Sequence, residues 1–87
     1  MYRIVPDDAV FDQVAALPAE ALSAYAAVLE VLTLAPWNGE PQHEDNPKAE
    51  VRRWYFGPSQ AGQIVYLIVE ERREVHVLLV QWLSPLP

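Results

Sequence analysis

The apolar positions along the chain change their period twice. "YRIV" (2–5) mixes aromatic and β-branched residues and reads as a short strand, ended by Pro6, which has no N–H to give to a ladder. Val10, Phe11, Val14 and Leu17 then recur at helical spacing, and Asp7 or Asp8 is placed to cap that helix. Pro18 closes it and suits the first turn of the next. A second helix is predicted from about Ala19 to Leu34, with Leu22, Tyr25, Leu29 and Leu32 on one face. Seven alanines between positions 15 and 27 add helix propensity and allow close approach to another layer. Pro36, Gly39 and Pro41 stop it.

Residues 35–50, "APWNGEPQHEDNPKAE", read as one long polar connection, a type of loop that often carries function. Trp37 is expected to pin its start against the fold. After it the period drops to two. "VRRWYF" (51–56) is a strand, "GPSQAG" a loop, and "QIVYLIVEE" (63–71) and "EVHVLLVQWL" (74–83) form a hairpin around a charged turn at Arg72 and Arg73. The runs 64–69 and 77–80 are apolar on both faces, which places both strands centrally. The order β-α-α-β-β-β gives a single α+β domain over residues 1–87. Two N-terminal helices are expected on one face of a mainly antiparallel four-stranded sheet.

Composition excludes several chemistries. The 87 residues contain no cysteine and two histidines, His43 and His76, so neither a disulfide framework nor a thiolate or histidine metal cluster is expected. No cofactor-binding motif stands out, and no cofactor is expected. The opening "MYRIVPDDAVF" lacks the basic and apolar regions of a signal peptide, and no apolar run approaches the roughly 20 residues that cross a bilayer. A cytoplasmic protein without membrane contact is the expectation. Net charge is −6, unevenly placed. Residues 1–47 carry Arg3 against eight acids, whereas residues 48–87 carry five bases against four acids. This is too few bases for a general nucleic-acid module, whose affinity scales with the phosphates it neutralises, but it leaves room for a small basic site.

The adjacent pair Arg52 and Arg53 concentrates that basicity. Side chains alternate on a strand, so Arg53 shares a face with Val51 and Tyr55, and Arg52 with Trp54 and Phe56. Trp54 and Phe56 make the better core anchors. Arg53 and Tyr55 therefore face outward, as a phosphate or base contact with a ring for stacking, or as a solvated charge paired with Glu70 or Glu71. Strict alternation on the last strand groups His76 with Leu78, Val80 and Trp82. The unperturbed imidazole has a pKa near neutrality, so His76 is a candidate acid or base, or a structural residue.

The stretch "VRRWYFGPSQAGQIVYLIVEERREVHVLLVQWL" (51–83) resembles the RelE/ParE toxin superfamily of type II toxin–antitoxin systems. Shared features are a basic strand, a loop, an aliphatic strand containing a tyrosine, a charged turn and a final aliphatic strand. The resemblance implies a cytoplasmic bacterial toxin neutralised by a cognate antitoxin. In the RelE branch it implies an mRNA interferase on the ribosome, where the 2′-OH attacks the adjacent phosphate. In the ParE branch the target is DNA gyrase. By the same resemblance Arg53, His76 and Arg52 are the catalytic candidates, and Arg53, Tyr55, Gln63, Arg72 and Arg73 the RNA-binding ones. Gln63 stands where the family often has a phosphate-binding arginine, which removes a charged contact to the transition state. "QWLSPLP" carries no titratable side chain where RelE-branch enzymes commonly have an arginine and a terminal tyrosine or histidine. A catalytically silent member acting by protein binding, and an assembly domain on the same scaffold, stay open beside the toxin. Trp82, Leu83 and Leu86 are expected to suit an antitoxin contact or a homodimer.

Overall fold

The computed structural model describes residues 1–41 and 50–83. Chain order is β1 (Arg3–Pro6), α1 (Asp8–Ala15), α2 (Ala19–Leu34), β2 (Glu40–Pro41), β3 (Val51–Phe56), β4 (Gly62–Val69) and β5 (Glu74–Trp82). One-turn helices at Pro36–Asn38, Pro58–Gln60 and Glu70–Arg72 link the later elements. The sheet runs β1-β5-β4-β3-β2, with β1 parallel to β5 and every other pair antiparallel. The two-faced apolar runs of β4 and β5 do lie in the middle. The sheet has five strands rather than the four expected: β2 is a two-residue edge strand inside the stretch read as a loop. Two residues show no periodicity, and Pro41 is tolerated because it lies on an edge.

Both helices bury one side against one face of the sheet. Val10, Leu17, Ala21, Tyr25, Val28 and Leu32 meet Phe56, Ile64, Tyr66, Ile68, Val75, Val77 and Val80 in one core. The buried face of α2 is Ala21, Tyr25, Val28 and Leu32, so it is rotated from the expected one, and Leu22 is exposed. Ala21 takes a fully buried core position, while the larger Leu22 beside it faces outward. Phe11 is also turned outward, 63% exposed. Asp7 caps α1 through its main-chain carbonyl, which accepts from Val10 N–H at 2.9 Å, and not through its side chain. Where β1 stops, α1 continues the edge of β5: Gln13 Oε1 accepts from the Val80 N–H at 2.8 Å.

β5 carries a bulge. Val65 faces Leu79 and Tyr66 faces Val77, so Leu78 is the extra residue. A bulge shifts the alternation by one position beyond it. Val75 and Val77 therefore share the helix side with Val80, while His76 shares the open side with Leu79 and Gln81. The grouping of His76 with Val80 and Trp82 is thus corrected. Trp82 is half-buried against the core, its ring centroid 6.4 Å from that of Phe56 and its edge over Gly57. Gly57 sits at φ 82°, a conformation that disfavours any side chain. Of the expected C-terminal contact residues Leu83 remains exposed, and Leu86 lies outside the described residues.

Candidate functional site

The open face of the sheet holds the chemistry. By register, Val51, Arg53 and Tyr55 of β3 stand beside Gln63, Val65 and Leu67 of β4, and these beside His76, Leu79 and Gln81 of β5. Tyr55 faces Gln63 and Gln63 faces Gln81, so Arg53, Tyr55 and Gln63 form one neighbourhood at the β2 side of the sheet. The Arg53 guanidinium lies 5.8 Å from the centroid of the Tyr55 ring. Its ion-pair partner is Glu40 of β2, not Glu70 or Glu71, with Nε to Oε2 at 3.3 Å.

A cleft of about 190 Å³ opens beside this pair, lined by Asn38, Gly39, Glu40, Arg53, Trp54, Tyr55 and Gln60. Arg53, Trp54 and Tyr55 of β3 contribute part of its lining. Ile68 N–H bonds to Glu50 O at 2.9 Å, so the even-numbered residues of β3 exchange ladder bonds with β4. Odd-numbered residues then aim N–H and C=O at the outer edge. Arg53 meets Glu40 there, but β2 begins at Glu40 and supplies no rung opposite Tyr55. The Pro58–Gln60 turn closes the other side. Ser59 and Gln60 both hold φ 55°, unfavourable for residues with a Cβ.

Arg52 belongs to the scaffold of this cleft and not to the open face. It is buried, its Nη1 donates to the carbonyls of Trp37 at 3.2 Å and Gly39 at 2.9 Å, and its guanidinium stacks over the Trp37 ring at 5.1 Å. Tyr66 braces the same turn, its hydroxyl donating to Pro36 O at 2.7 Å. Burial pushes the Tyr66 phenol up to about 12, against the opposing influence of Arg52 and of a main-chain hydrogen bond at Gly39. A side chain at Gly39 would place its Cβ 1.9 Å from the Tyr66 hydroxyl oxygen, so only glycine allows the turn to sit this close. Trp37 Nε1 donates to Glu70 at 2.8 Å, and the Tyr2 hydroxyl donates to the same oxygen at 2.6 Å. These two bonds hold the Glu70 carboxyl below its usual value.

The remaining candidates lie elsewhere. His76 stands two strands away from Arg53 and two residues further along, roughly 12 Å by ordinary strand spacing and rise. Its Nε2 lies 2.9 Å from Glu74 Oε1, and Arg3 of β1 pairs with the other carboxylate oxygen. A carboxylate only accepts, so Nε2 carries the shared proton and Nδ1 is the acceptor of the neutral ring. The bonds from His76 and Arg3 hold the Glu74 carboxyl below its usual value. Arg72 and Arg73 close the turn at the opposite end of β4 from Gln63, about 20 Å along the strand. Arg73 pairs with Glu70 at 3.5 Å and stacks over Tyr2 at 5.1 Å. His43 lies outside the described residues.

Sequence reasoning missed Glu40, Asn38 and Gln60, which have no periodicity to mark them. It also missed Glu74, which a simple signal announces: on a strand, a carboxylate two residues from a histidine shares its face.

No model of a known protein family matches the sequence, and no curated protein matches it. Solved structures do match. The isolated E. coli RelE toxin superposes with a TM-score of 0.79 at 14% identity, over 98% of this chain and 87% of that one. The fold is that of RelE. The intact E. coli RelBE toxin–antitoxin complex contains a chain matching at TM-score 0.73 and 16% identity, over 98% and 100% of the two chains. The RelE–RelB complex of the archaeon Pyrococcus horikoshii OT3 gives 0.66 at 12% identity, over 95% and 96%. At such identities the RelE likeness is one of architecture.

Proposed function

We propose that this chain is the toxin of a type II toxin–antitoxin pair, that a cognate antitoxin neutralises it, and that it engages single-stranded RNA through Arg53 and Tyr55. The likeness to RelE along 98% of the chain supports the first part. The observation that carries the second is the Arg53–Tyr55 pair on the uncovered sheet face beside an open cleft. A guanidinium supplies a phosphate or base contact and a tyrosine ring a stacking platform, the two elements from which unpaired RNA is bound. Arg53, Tyr55 and Gln63 are the residues assigned to it.

Binding is the finer activity this arrangement favours over cleavage. Cutting through the 2′-OH needs a proton acceptor within hydrogen-bond reach of the held nucleotide. His76 stands about a dozen ångströms from Arg53, out of reach, and the Glu40 carboxylate that lines the cleft is tied to Arg53 at 3.3 Å rather than free to take the proton. A second reading, a silent member that acts by protein contact, is favoured by the net charge of −6.

Induced expression with and without a candidate antitoxin encoded by a neighbouring gene, followed by mapping of mRNA ends during translation, tests the proposal. Arrest that the candidate antitoxin relieves, with mRNA largely intact and Arg53→Ala inactive, is expected. Arrest with relaxed or broken DNA and full activity of Arg53→Ala would move the target to gyrase.

A further inference from the structure

Glu40 is out of place in a phosphate site. Its side chain is 62% exposed, its carboxylate pairs with Arg53 at 3.3 Å, and it lines the same cleft, where a carboxylate would repel a phosphate. A carboxylate is the right group for a different ligand atom set: two N–H donors side by side. Among the four RNA bases only guanine offers this, through N1–H and the N2 amine, with the acceptor O6 next to them. Adenine and cytosine set one amine beside an acceptor nitrogen, and uracil sets one N–H between two acceptors.

We propose that the cleft between the Asn38–Glu40 segment and Gln60 is a guanine-recognition pocket, with Glu40 accepting from N1–H and N2–H. This rests on the RNA-binding reading above and names the base that reading would select. Arg53, or the unrung N–H of Tyr55, donates to O6, and the Tyr55 ring supplies the stacking face. At about 190 Å³ the cleft is smaller than a drug-sized site and suits one heterocycle rather than a stacked pair. Its walls are set in advance. Arg52 and Tyr66 fix the turn that precedes Glu40, and the left-handed conformations of Ser59 and Gln60 hold the opposite side. Such preorganisation reduces the ordering cost of binding a single base.

Titration of the full chain with 5′-GMP, 5′-IMP, 5′-AMP and inorganic phosphate, followed through the amide resonances of Tyr55 and Gln60, tests this. GMP should bind roughly 10- to 100-fold more tightly than AMP, the range of one good bidentate contact, with IMP between them because it lacks the N2 amine. Glu40→Gln should bring GMP down to the level of AMP. Equal affinity for GMP and AMP, a preference that survives Glu40→Gln, or a response to phosphate alone would each overturn the pocket. Growth arrest is read separately. Arrest without base discrimination sinks the pocket and leaves the toxin standing, whereas selective GMP binding without arrest does the reverse.

Discussion

Arg52 Nη1 donates to the main-chain carbonyl of Gly39 at 2.9 Å, while its neighbour Arg53 points to the opposite face of the sheet. Two adjacent, chemically identical residues thus have unrelated jobs. Arg52→Ala removes a buried charge bonded to two carbonyls and leaves those carbonyls without their partner, a loss of about 2–4 kcal/mol. Arg53→Ala removes an exposed ion pair worth about 0–1 kcal/mol. Thermal unfolding should show Arg52→Ala lower by 10 °C or more and Arg53→Ala within a few degrees of the parent. Arg52→Lys should recover only part of the loss, since a point ammonium cannot reproduce the planar fork stacked on Trp37.

Gly39 and Tyr66 should be energetically coupled. Tyr66→Phe leaves the Pro36 carbonyl unpaired and costs about 1–2 kcal/mol. Gly39→Ala forces the turn away from the hydroxyl and costs more. In the double variant the missing hydroxyl gives the methyl room, so the combined loss should fall clearly below the sum of the single losses. A double-mutant cycle by denaturant unfolding measures this, and additivity would show that the turn relaxes freely.

Stability should depend on pH at both extremes. Glu70 and Glu74 have folded values below their ordinary carboxylate value near 4.5, so their contribution is fully present above that value and is lost as pH falls through the lower, folded one. Tyr66 has the opposite sign. Raised to about 12 from 10.0, it favours the folded state below pH 10 and loses that contribution between about pH 10 and 12. Glu70→Gln and Glu74→Gln should each flatten the acid limb, and Tyr66→Phe the alkaline one, in melting curves taken across pH.

Deleting Leu78 should be tolerated. Without the extra residue the ladder runs in unbroken register, and strict alternation keeps Val75, Val77, Val80 and Trp82 on the helix side and His76, Leu79 and Gln81 on the open side. The deletion and Leu78→Ser on the exposed bulge should both unfold cooperatively near the parent midpoint, and loss of cooperative unfolding in the deletion would show that the bulge itself is required.

The same bulge marks where the sequence stopped being readable. The opposite orientations of Arg52 and Arg53 follow from period two alone, as do the central positions of β4 and β5. Strict alternation misplaces His76 because one inserted residue leaves no trace in a stretch such as "VHVLLV", where the residues around the histidine are apolar and either face looks buried. β2 and Glu40 were hidden for a different reason. A two-residue edge strand is selected by a tertiary contact, the bond network that draws the Pro36–Gly39 turn onto Tyr66 and Arg52. Phe11 and Leu22 show the limit of periodicity in small domains, where one sheet face cannot cover every apolar helix position.

The central claim is that Arg53 and Tyr55 form the RNA contact. The affinity of the intact chain for a mixed-sequence single-stranded RNA, at low salt, should fall about 10-fold or more in Arg53→Ala and in Tyr55→Ala, and hardly change in Arg72→Ala. Unchanged binding in the first two variants, or an equal loss in Arg72→Ala, would contradict it.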